Sequence, residues 1–112
     1  MAKLEAGTQQ IFRELLMSKA YFISTYHEIY DENKLAAYAE LAGPALVAHG
    51  GRILARGIAN DAKEHGKKMR TVLLEFDSVE AAQAAYDSDG YKAALDALGD
   101  GVKRDIRIIE GV

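Results

Sequence analysis

Three histidines are the side chains of this chain best suited to acid–base chemistry, and one of them stands beside a glycine pair. His49 precedes Gly50-Gly51, where an apolar helical pattern stops. An imidazole gains or loses a proton near neutral pH, so His49 is a candidate catalytic base. The alternative is structural, because an imidazole at a helix end can cap the last carbonyl groups. His27, on a strand, and His65, in a charged loop, are weaker candidates.

Two arginines and a glutamate form a second group of candidates. Arg52 and Arg56 are four residues apart in one predicted strand, which places both on the same face. A hairpin centred near Lys63 or Glu64 brings Glu75 almost opposite Arg52. That pair can be a cross-strand ion pair that only stabilises the sheet. An arginine left unpaired presents a planar fork to a ligand carboxylate or enolate, and we assign this oxyanion-stabilising role to Arg56.

The tyrosines are a third group, numerous for a chain that has six of them and no Trp. Tyr91 follows a Ser-Asp-Gly break, which places it at a helix start where its hydroxyl can orient a ligand. Tyrosines at helical spacing more commonly pack their rings in the core, so this alternative stays open. The ligand-binding candidates are Tyr21, Arg52, Glu75 and Tyr91.

Sequence motifs for a metal or a phosphate are missing. The chain has no cysteine, and its three histidines are scattered rather than paired at metal-ligand spacing. It also lacks a Gly-rich phosphate loop and a G-x-S-x-G serine motif. We therefore expect no metal and no cofactor.

The length of 112 residues allows one domain, and a composition of 49% hydrophobic and 28% charged residues is that of a globular protein. A net charge of −3 gives no general attraction to nucleic acid. No apolar run is long enough to span a membrane, and Arg13 and Glu14 interrupt the only apolar stretch that a signal peptide could use. The sequence thus predicts a cytoplasmic protein with neither nucleic acid nor membrane as a partner.

The elements that must position these residues begin with an N-terminal extension, residues 1–18. Thr8 is its predicted N-cap, and the apolar residues of the extension recur on one helical face, which indicates a short amphipathic helix. The remainder, residues 19–112, is the predicted main domain.

In the main domain the pattern predicts strands at 19–29, 52–59, 68–76 and 105–110. A helix follows Asp31 and is expected to end or kink at Pro44 before a further turn that carries Leu46 and Val47, and to stop at His49-Gly50-Gly51. A second helix follows Ser78 as its N-cap, breaks at 88–90 and resumes over 91–98. The apolar stripe of the first helix is predicted to comprise Leu35, Tyr38, Leu41 and Ala42.

The resulting β-α-β-β-α-β order is typical of the α+β ferredoxin-like fold, in which a four-stranded antiparallel sheet carries both helices on one face. The predicted inner face includes Val72, Leu74, Phe76, Ile106 and Ile108. The opposite face shows Thr71, Leu73, Glu75, Arg107 and Ile109, which is too apolar in places to stay bare. Pairing two such faces covers it with one symmetric contact, so we expect a homodimer.

Several motifs, in order along residues 19–112, resemble the family called domain of unknown function 1330. They are the segments 49–57 (HGGRILARG) and 74–82 (LEFDSVEAA), then Tyr86, Ser88 and Tyr91, and the terminal Ile109-Glu110-Gly111. The resemblance implies a dimeric α+β barrel with a small organic ligand in a cleft between sheet and helices. Relatives in that superfamily include cofactor-free monooxygenases, lactone isomerases and haem-dependent dismutases, so the fold implies no single chemistry.

Two departures from the family pattern bear on the ligand. Ala85 stands where the family tends to carry Trp, and Leu98 where it tends to carry Arg. If those residues bind a ligand in relatives, the ligand of this chain differs. The leading prediction is a protein that binds a small organic molecule, with turnover left open. The enzyme version is a cofactor-independent isomerase, hydrolase or monooxygenase-like enzyme with His49 as base and Arg56 to stabilise an oxyanion. The alternative is a non-catalytic dimeric binding or interaction module.

Overall fold

Strands rich in β-branched and aromatic residues form the sheet of the computed structural model, which describes residues 18–112. The elements are β1 (Ala20–Ile29), α1 (Glu32–Ala48), β2 (Arg52–Ile58), β3 (Arg70–Phe76), α2 (Val79–Tyr86), α3 (Asp89–Leu98) and β4 (Val102–Glu110). All strand pairs are antiparallel, in the order β2-β3-β1-β4. The ferredoxin-like prediction is therefore confirmed. The predicted N-terminal helix, with Thr8 as its cap, lies outside the described residues.

Side-chain caps fix where the helices begin. The Asp31 carboxylate accepts hydrogen bonds from two backbone N–H groups of the first turn of α1. Ser78 caps α2 and Ser88 caps α3 in the same way, each accepting one backbone N–H. The predicted break between the two helices is present, but Asp89 and Gly90, expected within the break, belong to α3.

The first helix agrees with one sequence expectation and corrects another. It continues through Pro44 and a further turn to Ala48, with His49 as its C-cap, so it ends where the pattern predicts. Leu41 is 44% exposed rather than part of the buried stripe. The stripe instead consists of residues that recur every three or four positions: Leu35, Tyr38, Ala42 and Leu46.

The hydrophobic core lies between the helices and one face of the sheet. Its fully buried large side chains are Phe22, Leu74, Phe76 and Tyr91. Val72, Ile106 and Ile108 pack against this core from the same sheet face, as predicted. The opposite face carries Ile23 and Leu73, which are paired in register, and Ile109, which is 57% exposed.

An irregularity in β2 decides where its arginines lie. Arg52 pairs with Glu75 and Ile53 with Leu74, but Ala55 then pairs with Leu73. The extra residue, Leu54, forms a bulge and reverses the alternation of side chains. Arg56 consequently pairs with Val72 and lies on the helix side of the sheet. The expectation that Arg52 and Arg56 share a face is wrong.

No helix within residues 18–112 has the length and apolar character needed to cross a lipid bilayer.

Candidate functional site

A pocket of about 380 Å³ opens between α1 and the helix side of β1, β2 and β3. This volume falls within the range of small-molecule sites. Most of its wall is aromatic or aliphatic, including Phe22, Tyr26, Tyr38, Leu46, Ile53 and Val72. Four polar or charged residues complete the lining: Ser24, Glu40, Arg56 and Arg70. An apolar cavity with a few polar groups is the usual form of a binding site for an organic molecule.

Ser24 places a hydroxyl in the buried part of this pocket. It lies between Phe22 and Tyr26 on the inward face of β1 and is 3% exposed. Its Oγ has no hydrogen-bond partner within residues 18–112. A buried hydroxyl without a partner costs free energy, so its presence in the pocket wall requires an explanation.

Two arginines reach the pocket from the edge of the sheet. The bulge in β2 turns Arg56 inward, against α1 at Gly43, where its Nη1 lies 3.8 Å from the position that a Cβ would occupy. The guanidinium of Arg70 lies 5.7 Å from the centre of the Tyr26 ring, and its buried Nε has no hydrogen-bond partner among residues 18–112. Neither arginine forms a salt bridge with a carboxylate in the described part of the chain. The one lining carboxylate is that of the exposed Glu40.

A third arginine lies behind the pocket, among three tyrosines. Arg104 Nη1 donates to Tyr26 Oη at 2.8 Å, and Nη2 donates to Tyr91 Oη at 3.3 Å. The Tyr91 and Tyr38 hydroxyls are 2.6 Å apart. The Arg104 guanidinium also lies 4.5 Å from the centre of the Tyr38 ring. We call Tyr26, Tyr38, Tyr91 and Arg104 the arginine–tyrosine cluster.

Three predicted ligand-binding residues meet on the outer face of the sheet instead. Arg52 Nε donates to Glu75 Oε1 at 3.0 Å, and the Tyr21 hydroxyl donates to Glu75 Oε2 at 3.1 Å. Hydrogen bonds from Arg52 and then from Tyr21 lower the pKa of Glu75, and the bond to Glu75 raises the pKa of Tyr21. The predicted cross-strand ion pair is present, and it satisfies these side chains without a ligand.

The other two predicted site residues lie apart from the pocket. Tyr91 is completely buried and is not among the pocket-lining residues; burial, together with nearby Tyr38, raises its pKa. His49 is exposed as the C-cap of α1, where its backbone N–H, rather than its ring, closes the helix. His49 is not among the residues that line the pocket with Arg56.

The other histidines occupy the outer side of the sheet. His27 Nε2 lies 2.8 Å from Asp105 Oδ2, and this contact, followed by a hydrogen bond from Thr25, lowers the pKa of Asp105. His65 is exposed in the loop between β2 and β3. Within residues 18–112 no three His, Asp or Glu side chains converge as metal ligands.

Sequence reasoning missed Ser24 and Arg70 as pocket residues. Ser24 could have been found from the sequence, because it is the one hydroxyl-bearing aliphatic side chain in the inward-facing series Phe22, Ser24, Tyr26. Arg70 is the first residue of β3. The face of the sheet on which its side chain lies depends on the register of the β2–β3 hairpin, which has a long loop and a bulge. No local pattern fixes that register.

Comparison with solved structures finds similar folds at low sequence identity. A protein of unknown function from Rhodopseudomonas palustris is 13% identical with a TM-score of 0.67, and the match covers 92% of each chain. The cofactor-independent oxygenase SnoaB from Streptomyces nogalater is 10% identical with a TM-score of 0.59, covering 85% of this chain and 94% of that one. A dimeric ferredoxin-like protein of unknown function from Thermobifida fusca is 16% identical with a TM-score of 0.56, covering 83% and 91%. No curated protein matches the sequence.

The comparison with protein families shows which family the chain belongs to, which the similar structures alone do not. One family matches residues 19–112, and these residues form the sheet and its helices. Ala85 and Leu98, the two positions that depart from the expected family pattern, are both buried in the core and do not line the pocket. The chain belongs to the domain of unknown function family DUF1330.

Proposed function

We propose that this protein binds a small organic molecule with an anionic oxygen in the pocket between α1 and the sheet. The observation that carries the proposal is the set of hydrogen-bond donors in a largely apolar cavity: the Ser24 hydroxyl, which has no partner within residues 18–112, and the guanidinium groups of Arg56 and Arg70. Each of these groups is satisfied by an oxygen with negative charge. A ligand of this kind explains why the chain keeps polar atoms there.

The shape of the pocket favours a ligand with a flat apolar body. Phe22, Tyr26 and Tyr38 line the wall, and aromatic rings pack well against one another in offset or edge-on arrangements. The arginines provide planar forks that hold a carboxylate or enolate with two hydrogen bonds each. An aromatic acid or enol therefore suits both parts of the cavity.

A second candidate function is catalysis on that molecule without a cofactor, by an isomerase, a hydrolase or an oxygenase. The similarity to SnoaB, whose description is that of a cofactor-independent oxygenase, favours this candidate. Such a reaction needs a group that takes a proton, and the lining residue with that ability is Glu40 rather than His49. The alternative is a non-catalytic binding module, in which the ligand is held and released unchanged.

We also propose that two copies pair through the outer face of the sheet, and that the protein acts in the cytoplasm. The dimeric protein from Thermobifida fusca supports the pairing because its fold is similar. The apolar side chains of Ile23, Leu73 and Ile109 on that face supply a surface that a second copy can cover.

Binding is tested with 2-naphthoate and its neutral analogue 2-naphthamide as probes, using calorimetry on the wild type and on Arg56→Gln and Arg70→Gln. We expect the wild type to bind the acid at least about tenfold more tightly than the amide, because a charge-assisted hydrogen bond contributes more than a neutral one. Each Gln variant is expected to lose most of that difference. Arg107→Gln, on the outer face, is the matched control. If the wild type binds neither 2-naphthoate nor 2-naphthamide, the proposed function is contradicted.

A further inference from the structure

The arginine–tyrosine cluster contains a guanidinium whose positive charge has no carboxylate partner. Arg104 lies on β4 opposite Tyr26 and is partly buried. No Asp or Glu among residues 18–112 forms a salt bridge with it. Its contacts are instead two tyrosine hydroxyls and the faces of the Tyr26 and Tyr38 rings. A charge held in this way polarises whatever is hydrogen-bonded to it.

The hydrogen-bonding capacity of arginine fixes the direction of the bonds. A guanidinium only donates, so the oxygens of Tyr26 and Tyr91 must accept from Arg104. The Tyr91 hydroxyl is completely buried, and Tyr38 Oη, at 2.6 Å, is the acceptor available to its proton. The direction that gives the buried Tyr91 proton an acceptor is from Arg104 to Tyr91 and from Tyr91 to Tyr38.

This direction leaves two hydroxyl protons without an acceptor. The Tyr38 hydroxyl accepts from Tyr91, and the Tyr26 hydroxyl accepts from Arg104, so each can donate its own proton elsewhere. Within residues 18–112 neither hydroxyl has a further hydrogen-bond partner. Both residues line the pocket.

We propose that Tyr38 and Tyr26 form an oxyanion site, in which two hydroxyls polarised by Arg104 donate to a phenolate or enolate oxygen of the ligand. The proposal rests on the proposed function and deepens it, because it names the chemical class of the group that is bound. The ligand is an enol or phenol that the pocket binds in its ionised form. Tyr38 and Tyr26 contact the ligand, and Arg104 is a positioning residue that acts through them.

The proposal predicts that the pocket makes a bound phenol more acidic. Hydrogen bonds to the ionised form of a group, together with a nearby positive charge, lower its pKa. 4-Nitrophenol reports this directly, because its phenolate absorbs visible light and its phenol form does not. We expect the ionisation constant of the bound probe to be about tenfold larger than that of the free probe.

The test is a pH titration of 4-nitrophenol absorbance with excess protein, for the wild type and for Tyr38→Phe and Tyr26→Phe. Each variant removes one hydroxyl and keeps the ring, and we expect each to remove most of the gain in acidity. Tyr86→Phe is the matched control, since the Tyr86 ring packs 5.1 Å from Tyr91 but does not line the pocket. Arg104→Lys should reduce the gain while leaving both tyrosines in place.

Three outcomes are distinguishable. A gain in acidity that disappears in Tyr38→Phe and Tyr26→Phe but not in Tyr86→Phe supports the oxyanion site. Binding of 4-nitrophenol with unchanged ionisation, or with the same ionisation in the tyrosine variants, overturns the oxyanion site and leaves the proposed function standing. Binding of neither 4-nitrophenol nor its methyl ether 4-nitroanisole contradicts the proposed function as well.

Discussion

Arg52 and Arg56, four residues apart on β2, lie on opposite faces of the sheet. Arg52 donates to Glu75 on the outer face, while Arg56 lines the pocket beneath α1. The bulge at Leu54 causes this difference. Because it adds one residue to the strand, the side chains after it lie on the opposite face from the one that regular alternation would give. One strand thereby contributes an arginine with a carboxylate partner and an arginine that forms no salt bridge within residues 18–112.

Ser24→Ala is expected to stabilise the protein and weaken ligand binding together. Removing a buried hydroxyl that lacks a partner avoids its desolvation cost, which raises the free energy of unfolding by about 1 kcal/mol. In a chain of this size that corresponds to an increase in Tm of roughly 4 °C. The same change removes a donor from the pocket and should lower the affinity for 2-naphthoate.

Thr25→Ala provides the control for that prediction. Its hydroxyl donates to Asp105 at 2.9 Å on the outer face, so its loss should lower Tm and leave naphthoate binding unchanged. A Ser24→Ala protein with a lower Tm than the wild type would mean that the serine has a stabilising partner, against our account of the pocket.

Glu75→Gln should make the protein less sensitive to acid. Arg52 and Tyr21 lower the pKa of Glu75 in the folded state, so its ionised form contributes stability above the unfolded-state pKa. That contribution is lost as the pH falls through the folded-state pKa. We expect Tm of the wild type to fall below about pH 4.5, and Tm of the variant to fall less steeply.

Thermal melts between neutral pH and about pH 3 measure this difference. Asp77 and Asp105 also have lowered pKa values, so some acid sensitivity should persist in the variant. Asp96→Asn, an exposed change on α3, should retain the full slope of the wild type. Equal slopes for the wild type and Glu75→Gln would contradict a stabilising role for the Arg52–Glu75 pair.

Gly51 and Gly43 are predicted to respond to alanine to different degrees. A Cβ on Gly51 would lie 2.8 Å from both the Leu46 carbonyl oxygen and the Phe76 ring, so Gly51→Ala should cost about 2 kcal/mol of stability. Gly43 lies inside α1 directly before Pro44, and the nearest atom beyond its chain neighbours is 3.8 Å from the position of a Cβ. Helix propensity favours alanine there by about 1 kcal/mol and the proline ring opposes a Cβ on the preceding residue, so Gly43→Ala should change the free energy of unfolding less than Gly51→Ala, as chemical denaturation can determine.

Leu73→Glu should dissociate the proposed dimer. Leu73 pairs with Ile23 and Ala55 at the centre of the outer face, where a carboxylate would be buried against a second copy. Light scattering should then give the mass of one chain. Ile58→Glu, at a 72% exposed position on the edge strand, is the control and should remain dimeric. A Leu73→Glu protein that stays dimeric would place the interface elsewhere.

The fold could be read from the sequence because its signals are local. The alternation in β1, the polar residues Asp31 and Ser78 before two of the helices, and the apolar inner face of β3 each indicate one element. The order of those elements then leaves few topologies.

The site could be read only in part, because its residues are brought together by the register of the strands. The Arg52–Glu75 pair precedes the bulge and follows from a regular hairpin, whereas the position of Arg56 comes after the bulge and does not. The role of Tyr91 depends on Arg104 and Tyr38, which lie on two other elements. No spacing in the sequence encodes contacts of that kind.

Native mass spectrometry of freshly purified protein tests the central claim most directly, because one spectrum reports both the number of subunits and the mass of any retained molecule. The account predicts a dimer that carries a small additional mass, and a smaller fraction of the Arg56→Gln protein should carry it. When 2-naphthoate is added to the wild type, its own mass should appear on the dimer. A dimer that carries no additional mass, even with 2-naphthoate present, would contradict the binding site, and a bare monomer would contradict the proposed assembly as well.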